Sequence, residues 1–289
     1  MTIVEGASAR TVLATLALLA ALLGGLWFFG RDQGEQTSFR QTLRKTQLVQ
    51  QLGAALHTAA QRERQAVMAE TDESSELFAR QARNATDTAG GLLRELKGLP
   101  RLTPEEAALI ARIETGFAEY RTVDQEVLDL AVQNTNLKAF ALSFGQAAIA
   151  LDEMESALRP LLNGSNDKAA RQAQRALAEA LHIQSLHAPH IMEKMAPRMD
   201  ALEKDMAAAD KAVRFALAAL GKDTTGALAA YENFWKLTGE IVALSRQNSN
   251  VRSLALSLER KTKVLAACDE ALRLLKAVVW EQMAPKATR

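Results

Sequence analysis

The sequence predicts an all-α protein: an N-terminal transmembrane helix followed by an elongated antiparallel helical bundle built from two repeated long helical hairpins. Three observations lead there. The 289 residues are rich in Ala, Leu, Gln, Glu, Lys and Arg, with aromatics at 5% and only six prolines, which is the composition of long helices rather than of sheets. Residues 11–29, TVLATLALLAALLGGLWFF, carry no charge; as a helix they extend about 30 Å, the thickness of a bilayer core. And one stretch occurs twice: EVLDLAVQNTNLKAFALS at 126–143 and EIVALSRQNSNVRSLALS at 240–257, offset by 114, with 8 of 18 positions identical and 8 more conservatively exchanged. A duplicated helical unit follows.

A tail of residues 1–10 precedes the transmembrane segment, 11–30, whose Trp27, Phe28 and Phe29 resemble an interfacial aromatic belt rather than a signal-peptide cleavage site. Arg10 precedes the span, and Arg31, Arg40, Arg44 and Lys45 follow it, so the flanking charges do not fix the orientation. No second apolar stretch of that length occurs, which predicts one crossing. After the polar stalk 31–37, helical periodicity runs to Leu96, with the acidic patch ETDESSE at 70–76 read as either a break or a solvated face. Thr103-Pro104-Glu105-Glu106 then supplies an N-cap, an N1 proline and an N3 carboxylate, so a turn is expected there. The second helix is expected to end near Arg159 at Pro160 and the loop 163–167, closing the first hairpin (37–160). The second hairpin (167–284) carries Pro189 and Pro197, which should kink or interrupt it, and turns at Gly221–Thr224. Two architectures satisfy this pattern: continuous hairpins packed as one four-helix bundle, or helices broken near 70–76 and 189–197 into shorter, stacked segments.

Within each copy the seam positions follow a heptad, Val127, Leu130, Asn134, Leu137, Ala141, Phe144, Ala148, Leu151, Glu155 and Leu158 in the first, and Ile241, Leu244, Asn248, Val251, Ala255, Leu258, Thr262 and Leu265 in the second. An asparagine therefore occupies the same seam position twice. One explanation is register: a buried Asn fixes helix alignment at a cost in stability. The functional alternative is a ligand-contacting layer of Asn134, Asn136, Asn248 and Asn250 with Gln133, Gln247, Lys138 and Arg252 nearby. A weaker candidate for a metal is the imidazole and thioether set His182, His187, His190, Met192 and Met195, a chemistry suited to copper or a haem. Against it, Met192, Met195, Met199 and Met206 are spaced like a core stripe, and neither HExxH nor CxxCH is present; no cofactor is expected. Asp72, Glu73 and Glu76 read as a solvated face, and the sequons at Asn84 and Asn163 carry no weight. The net charge of +1 and pI near 7.9 give no footprint for nucleic acid. Lone Cys268 excludes an internal disulfide and reads as a small core residue. No nucleophile–base pairing, phosphate loop or dinucleotide fingerprint is present, so no catalysis is expected.

The segments FAEYRTVDQEVLDLAVQNTNLKA and YENFWKLTGEIVALSRQNSNVRS, each with an aromatic pair (Phe117 and Tyr120; Tyr231 and Phe234) before the repeated helix, resemble the four-helix-bundle sensor domains of bacterial methyl-accepting chemotaxis proteins. AVMAETDESSELFARQA (66–82) is similar to their first-helix region. The resemblance implies a periplasmic ligand-sensing module in the bacterial inner membrane, with a helical dimer or membrane-protein partner and a small-molecule ligand. No second membrane helix, HAMP linker or methylated hairpin follows here, and no position matches the arginines that grip amino-acid ligands in that family. Without an output domain of its own, a membrane-anchored sensor-like protein is the leading expectation, and a helical scaffold for an envelope complex is its rival.

Overall fold

The computed structural model describes residues 39–282, and every regular element in that range is helical. The apolar segment 11–29 lies outside the described residues; among those described, no helix is long and apolar enough to cross a membrane. Helix α1 covers 39–67, followed by α2 (Asp72–Lys97), α3 (Pro104–Ala131), α4 (Thr135–Leu142), α5 (Ala148–Leu162), α6 (Asp167–Met192), α7 (Ala196–Ala218), α8 (Thr225–Gln247), α9 (Ser249–Leu256) and α10 (Thr262–Glu281). Wide π-turns, Ser143–Ala147 and Ser257–Lys261, join α4 to α5 and α9 to α10.

Each repeat has three arms, not the two of a simple hairpin. The chain reverses at 68–71, where Thr71 and Ser74 cap each other's backbone N–H (3.3 and 3.2 Å) and Ser75 Oγ donates to the Ala66 carbonyl. Asp72 and Glu73 open α2, where carboxylates complement the positive end of the helix dipole. The acidic patch is therefore a helix start. The equivalent reversal after α6 uses Glu193, whose carboxylate accepts from the N–H groups of Lys194 and Met195 (2.8 and 2.9 Å), with Pro197 in the first turn of α7. Pro189 is accommodated inside α6, three residues before its end, and Pro160 inside α5, which runs on to Leu162. Between α2 and α3 the expected capping box forms: Thr103 N donates to Glu106 Oε2 (2.7 Å) and Glu106 N to Thr103 Oγ1 (3.2 Å). Gly221, at φ 78°, makes the turn into α8, a backbone conformation that costs glycine nothing.

The third arm of each repeat is long and interrupted. Both Asn134 (φ 50°) and Asn248 (φ 53°) are left-handed, and asparagine is among the few residues with a side chain that tolerate this region. The helix stops at the asparagine and restarts immediately after it. This breaks the heptad expected from the sequence: Phe144 and Leu258 are 66% and 60% exposed. The buried stripe instead runs Thr135, Ala139, Ser143, Ala147 in one copy and Ser249, Ser253, Ser257, Lys261 in the other. These are equivalent positions at the 114-residue offset. Their small side chains suit the close approach of α4 to α9, which contact each other.

By internal packing the chain divides into two units. Among the described residues, the first comprises 39–55, 88–116 and 267–282. Its core includes Leu48, Leu52, Leu96, Ile113, Ala271 and Leu275. Cys268 is buried there, and a Cβ on Gly116 would stand 2.9 Å from its Sγ, so the glycine permits the approach of α3 to α10. Lys45 and Glu106 form a buried ion pair (2.7 and 2.8 Å), with Gln282 also donating to the carboxylate. The second unit comprises 56–87 and 117–266 and holds two helical groups. In one, α5, α6, α7 and α8 pack in up-down-up-down order around Leu151, Met154, Ile183, Val213, Tyr231 and Phe234; burial of each large apolar side chain contributes about 1.5–3 kcal/mol. In the other, the α1–α2 turn packs on α3 around Val67, Ala82, Val127 and Leu128. Each group takes residues from both repeats, Leu256 of α9 packing against the second group, because the long arms leave one set of neighbours at the asparagine and join another.

Candidate functional site

The two Gln-Asn-Thr/Ser-Asn motifs meet. Thr135 N donates to Ser249 Oγ (3.1 Å) and Ser249 N to Thr135 Oγ1 (3.0 Å); Asn136 N donates to Asn250 Oδ1 (3.1 Å) and Asn250 N to Asn136 Oδ1 (3.2 Å). Two helix N-termini thus cap each other across a local twofold relation, satisfying donors that a helix start otherwise leaves orphaned. The amides close the ring: Asn136 Nδ2 donates to Asn248 Oδ1 (2.9 Å) and Asn250 Nδ2 to Asn134 Oδ1 (3.0 Å). Outward, Asn134 Nδ2 donates to Asp72 Oδ1 (2.9 Å), and Asn248 Nδ2 to the Glu193 carbonyl (2.9 Å). The hydrogen bond from Asn134, and then the Lys138 ammonium, hold the Asp72 carboxyl below its ordinary value. All four asparagines predicted from the sequence are therefore brought together, and their amide groups are engaged with one another or with the two reversals. Gln133, Gln247, Lys138 and Arg252 lie on the exposed side; Lys138 pairs with Asp72 (3.1 Å).

Flanking this clasp are two further polar layers. In the α5–α8 group, His187 is fully buried, with Nε2 3.2 Å from Thr238 Oγ1 and Nδ1 3.0 Å from Ser143 Oγ. Thr238 spends its own hydroxyl proton on the Phe234 carbonyl, so it accepts from His187 Nε2–H, and Nδ1 accepts from Ser143. That is the neutral tautomer. Burial, and then the neighbouring His190, push the His187 pKa down to about 4. His190, also buried, contacts Ser245 Oγ (2.8 Å) and Glu203 Oε1 (2.9 Å). His182, Met192 and Met195 are exposed. The expected imidazole–thioether set is not assembled around one point, since α6 ends at Met192 and leaves Met199 and Met206 to the core of α7. Among the described residues no three His, Cys, Asp or Glu side chains are placed to hold a metal.

The other layer is ionic and was not singled out from the sequence. Lys261 reaches Glu63 Oε2 (3.1 Å) and Asp124, lies 4.8 Å from the centre of the Tyr120 ring, and all three charged residues are buried. Thr86 Oγ1 donates to Asp124 Oδ2 (2.9 Å). Asp124 carried a signal, standing four residues from each of the apolar Tyr120 and Leu128; Lys261 did not, because the stripe it shares with Ser249, Ser253 and Ser257 is polar. Beside this layer a cleft of about 440 Å³ opens between α2 and α3, lined by Arg83, Thr86, Asp87, Arg121, Thr122, Asp124 and Gln125. Arg83 pairs with Asp129 (3.0 Å); Arg121 makes no ion pair with another described residue.

An all-helical chain with polar layers buried between its helices and an open, charged cleft has the build of a helical-bundle recognition module. The comparison with known families is specific. The profile of the four helix bundle sensory module for signal transduction matches residues 8–180, more than half of the chain, and the protein belongs to that family. No curated protein and no solved structure matches it.

Proposed function

We propose that the protein is a membrane-anchored sensor that binds a small carboxylate-bearing solute in the cleft between α2 and α3. The span 11–29 supplies the anchor, and the remainder lies in the periplasm, as is typical of this family. The Arg121 guanidinium, which makes no ion pair with another described residue and lines a cleft of about 440 Å³, carries the reading. A guanidinium presents a planar fork of donors matched to a carboxylate, and Arg83 stands one helix away, paired with Asp129; Asp87, Asp124, Thr86, Thr122 and Gln125 also line the cleft, the last three with their donors engaged by Asp124, the Ala118 carbonyl and Asp129. The volume suits an amino acid or a dicarboxylate, within the range of small-molecule pockets.

The cleft floor also offers a route outward. Asp124 is shared between the cleft and Lys261, and Lys261 leads directly into α10. A ligand that draws α2 and α3 together around Arg121 shifts the partner of that buried ammonium. On this reading the asparagine clasp is a joint that keeps the two long arms in register, and output passes to a partner membrane protein or a second copy.

Thermal melts of the purified full-length chain against amino acids and dicarboxylates test this. A cognate ligand at 100 times its dissociation constant stabilises by about 2.7 kcal/mol, and Arg121→Ala is expected to weaken binding at least tenfold. Absence of a shift with any anion, or a shift undiminished in Arg121→Ala, overturns the cleft assignment and favours a scaffold.

A further inference from the structure

A second groove, in the α5–α8 group, has the opposite chemistry. It measures about 230 Å³ and runs between α7, which contributes Glu203, Met206 and Ala207, and α8, which contributes Trp235, Thr238 and Gly239. Its walls are apolar except at one end. There Glu203 Oε1 accepts from both Arg246 Nε (2.6 Å) and His190 Nε2 (2.9 Å), while Oε2 has no protein partner among the described residues. Hydrogen bonds from Arg246 and His190 hold the Glu203 carboxyl below its ordinary value, against the opposing effect of burial. Arg246 is shared with Asp200, so two carboxylates stand against one guanidinium. Gly239 lines the groove, and a Cβ built there meets nothing within 4 Å, so a larger side chain has room at this position.

We propose that this groove is a binding site for a small organic ammonium ion, with the charged nitrogen between Glu203 Oε2 and the Trp235 ring and a short apolar tail along Met206 and Ala207. An indole attracts cations through its ring quadrupole, most strongly where water is excluded, and a carboxylate with an unused oxygen supplies the charge-assisted hydrogen bond. The same walls disfavour an anion, which would meet Glu203 with no free guanidinium to offset it. This site is separate in residues and in ligand charge from the α2–α3 cleft.

Isothermal titration of the full-length chain with butylammonium and tetramethylammonium chlorides, using sodium butyrate as the anionic control, tests the assignment. Both ammonium ions are expected to bind and butyrate is not expected to compete with them. Gly239→Leu, which fills the groove from a position with open space around it, should weaken ammonium binding at least tenfold. Trp235→Leu, which keeps an apolar wall but removes the ring, should weaken tetramethylammonium at least fivefold. Arg121→Ala should leave both affinities unchanged, so failure here is distinguishable from failure of the carboxylate cleft. No ammonium binding, binding insensitive to Gly239→Leu and Trp235→Leu alike, or displacement by butyrate overturns the proposal.

Discussion

The two copies of the repeat share the left-handed asparagine and the π-turn of the third arm and differ in the polar layer beside it. Tyr120 and Phe234, Asp124 and Thr238, and Lys261 and Ala147 are equivalent at the 114-residue offset. Around Lys261 the layer is ionic, with Glu63 and Asp124 against one ammonium. Around Ala147 it is neutral, and His187 bridges Ser143 and Thr238 in its place. One backbone geometry therefore accepts either solution to burying polarity between helices. The difference lies in what each tolerates. A buried ion cluster collapses when one charge is removed, because the remainder is left unpaired in low dielectric. A neutral imidazole layer fails when a proton is added.

Two perturbations separate the two layers, and a third tests what they share. The largest effect is expected from Lys261→Ala, which strands Glu63 and Asp124 and should cost about 3–5 kcal/mol in urea unfolding. Adding Asp124→Thr and Glu63→Gln, to imitate the neutral copy, should recover most of the loss. A triple variant no more stable than the single one would show that the layers are not interchangeable.

Acidification acts on the other layer. His187 titrates at about 4 in the folded protein, against an ordinary histidine value of 6.5, so the unfolded chain takes up its proton first. Its contribution is complete above pH 6.5, declines as pH falls towards 4, and is bounded by about 3 kcal/mol. The depressed carboxyls of Glu106 and Glu203 act lower, since their contributions fade only below the ordinary 4.5. Equilibrium unfolding from pH 7 to 4 should show a slope that His187→Gln flattens; an unchanged slope would place the titrating group elsewhere.

The smallest effect concerns what the layers share. Asn134→Ala and Asn248→Ala should each destabilise by about 1–2 kcal/mol more than the corresponding glycine variants, because alanine resists the left-handed backbone that glycine adopts freely. Equal melting temperatures for the alanine and glycine forms would mean that the amide hydrogen bonds, not the backbone, set the requirement.

Much of this was legible in residue types. The repeat, the paired asparagines and the capping box at Thr103 follow from spacing and local chemistry, and each is present. The reversals at 68–71 and 193–195 were legible too, as the breaks expected near 70–76 and 189–197: Thr71-Asp72-Glu73-Ser74 is a helix start, and Pro197 marks the first turn of α7. The left-handed break at Asn134 and Asn248 was not readable, since a heptad count assumes a continuous right-handed helix. Nor was the α2–α3 cleft, whose arginines lie 38 positions apart in the chain and face one space only after α2 folds back on α3.

Residue order was enough to make the chain helical, duplicated and punctuated at particular positions, because helix periodicity, caps and turns act within a few residues of one another. Which arm lies beside which was settled at the level of packing. That choice placed Lys261 between Glu63 and Asp124 and brought the two asparagine motifs face to face, since burying a charge or an orphaned helix N-terminus is tolerated only where a distant segment supplies the matching group.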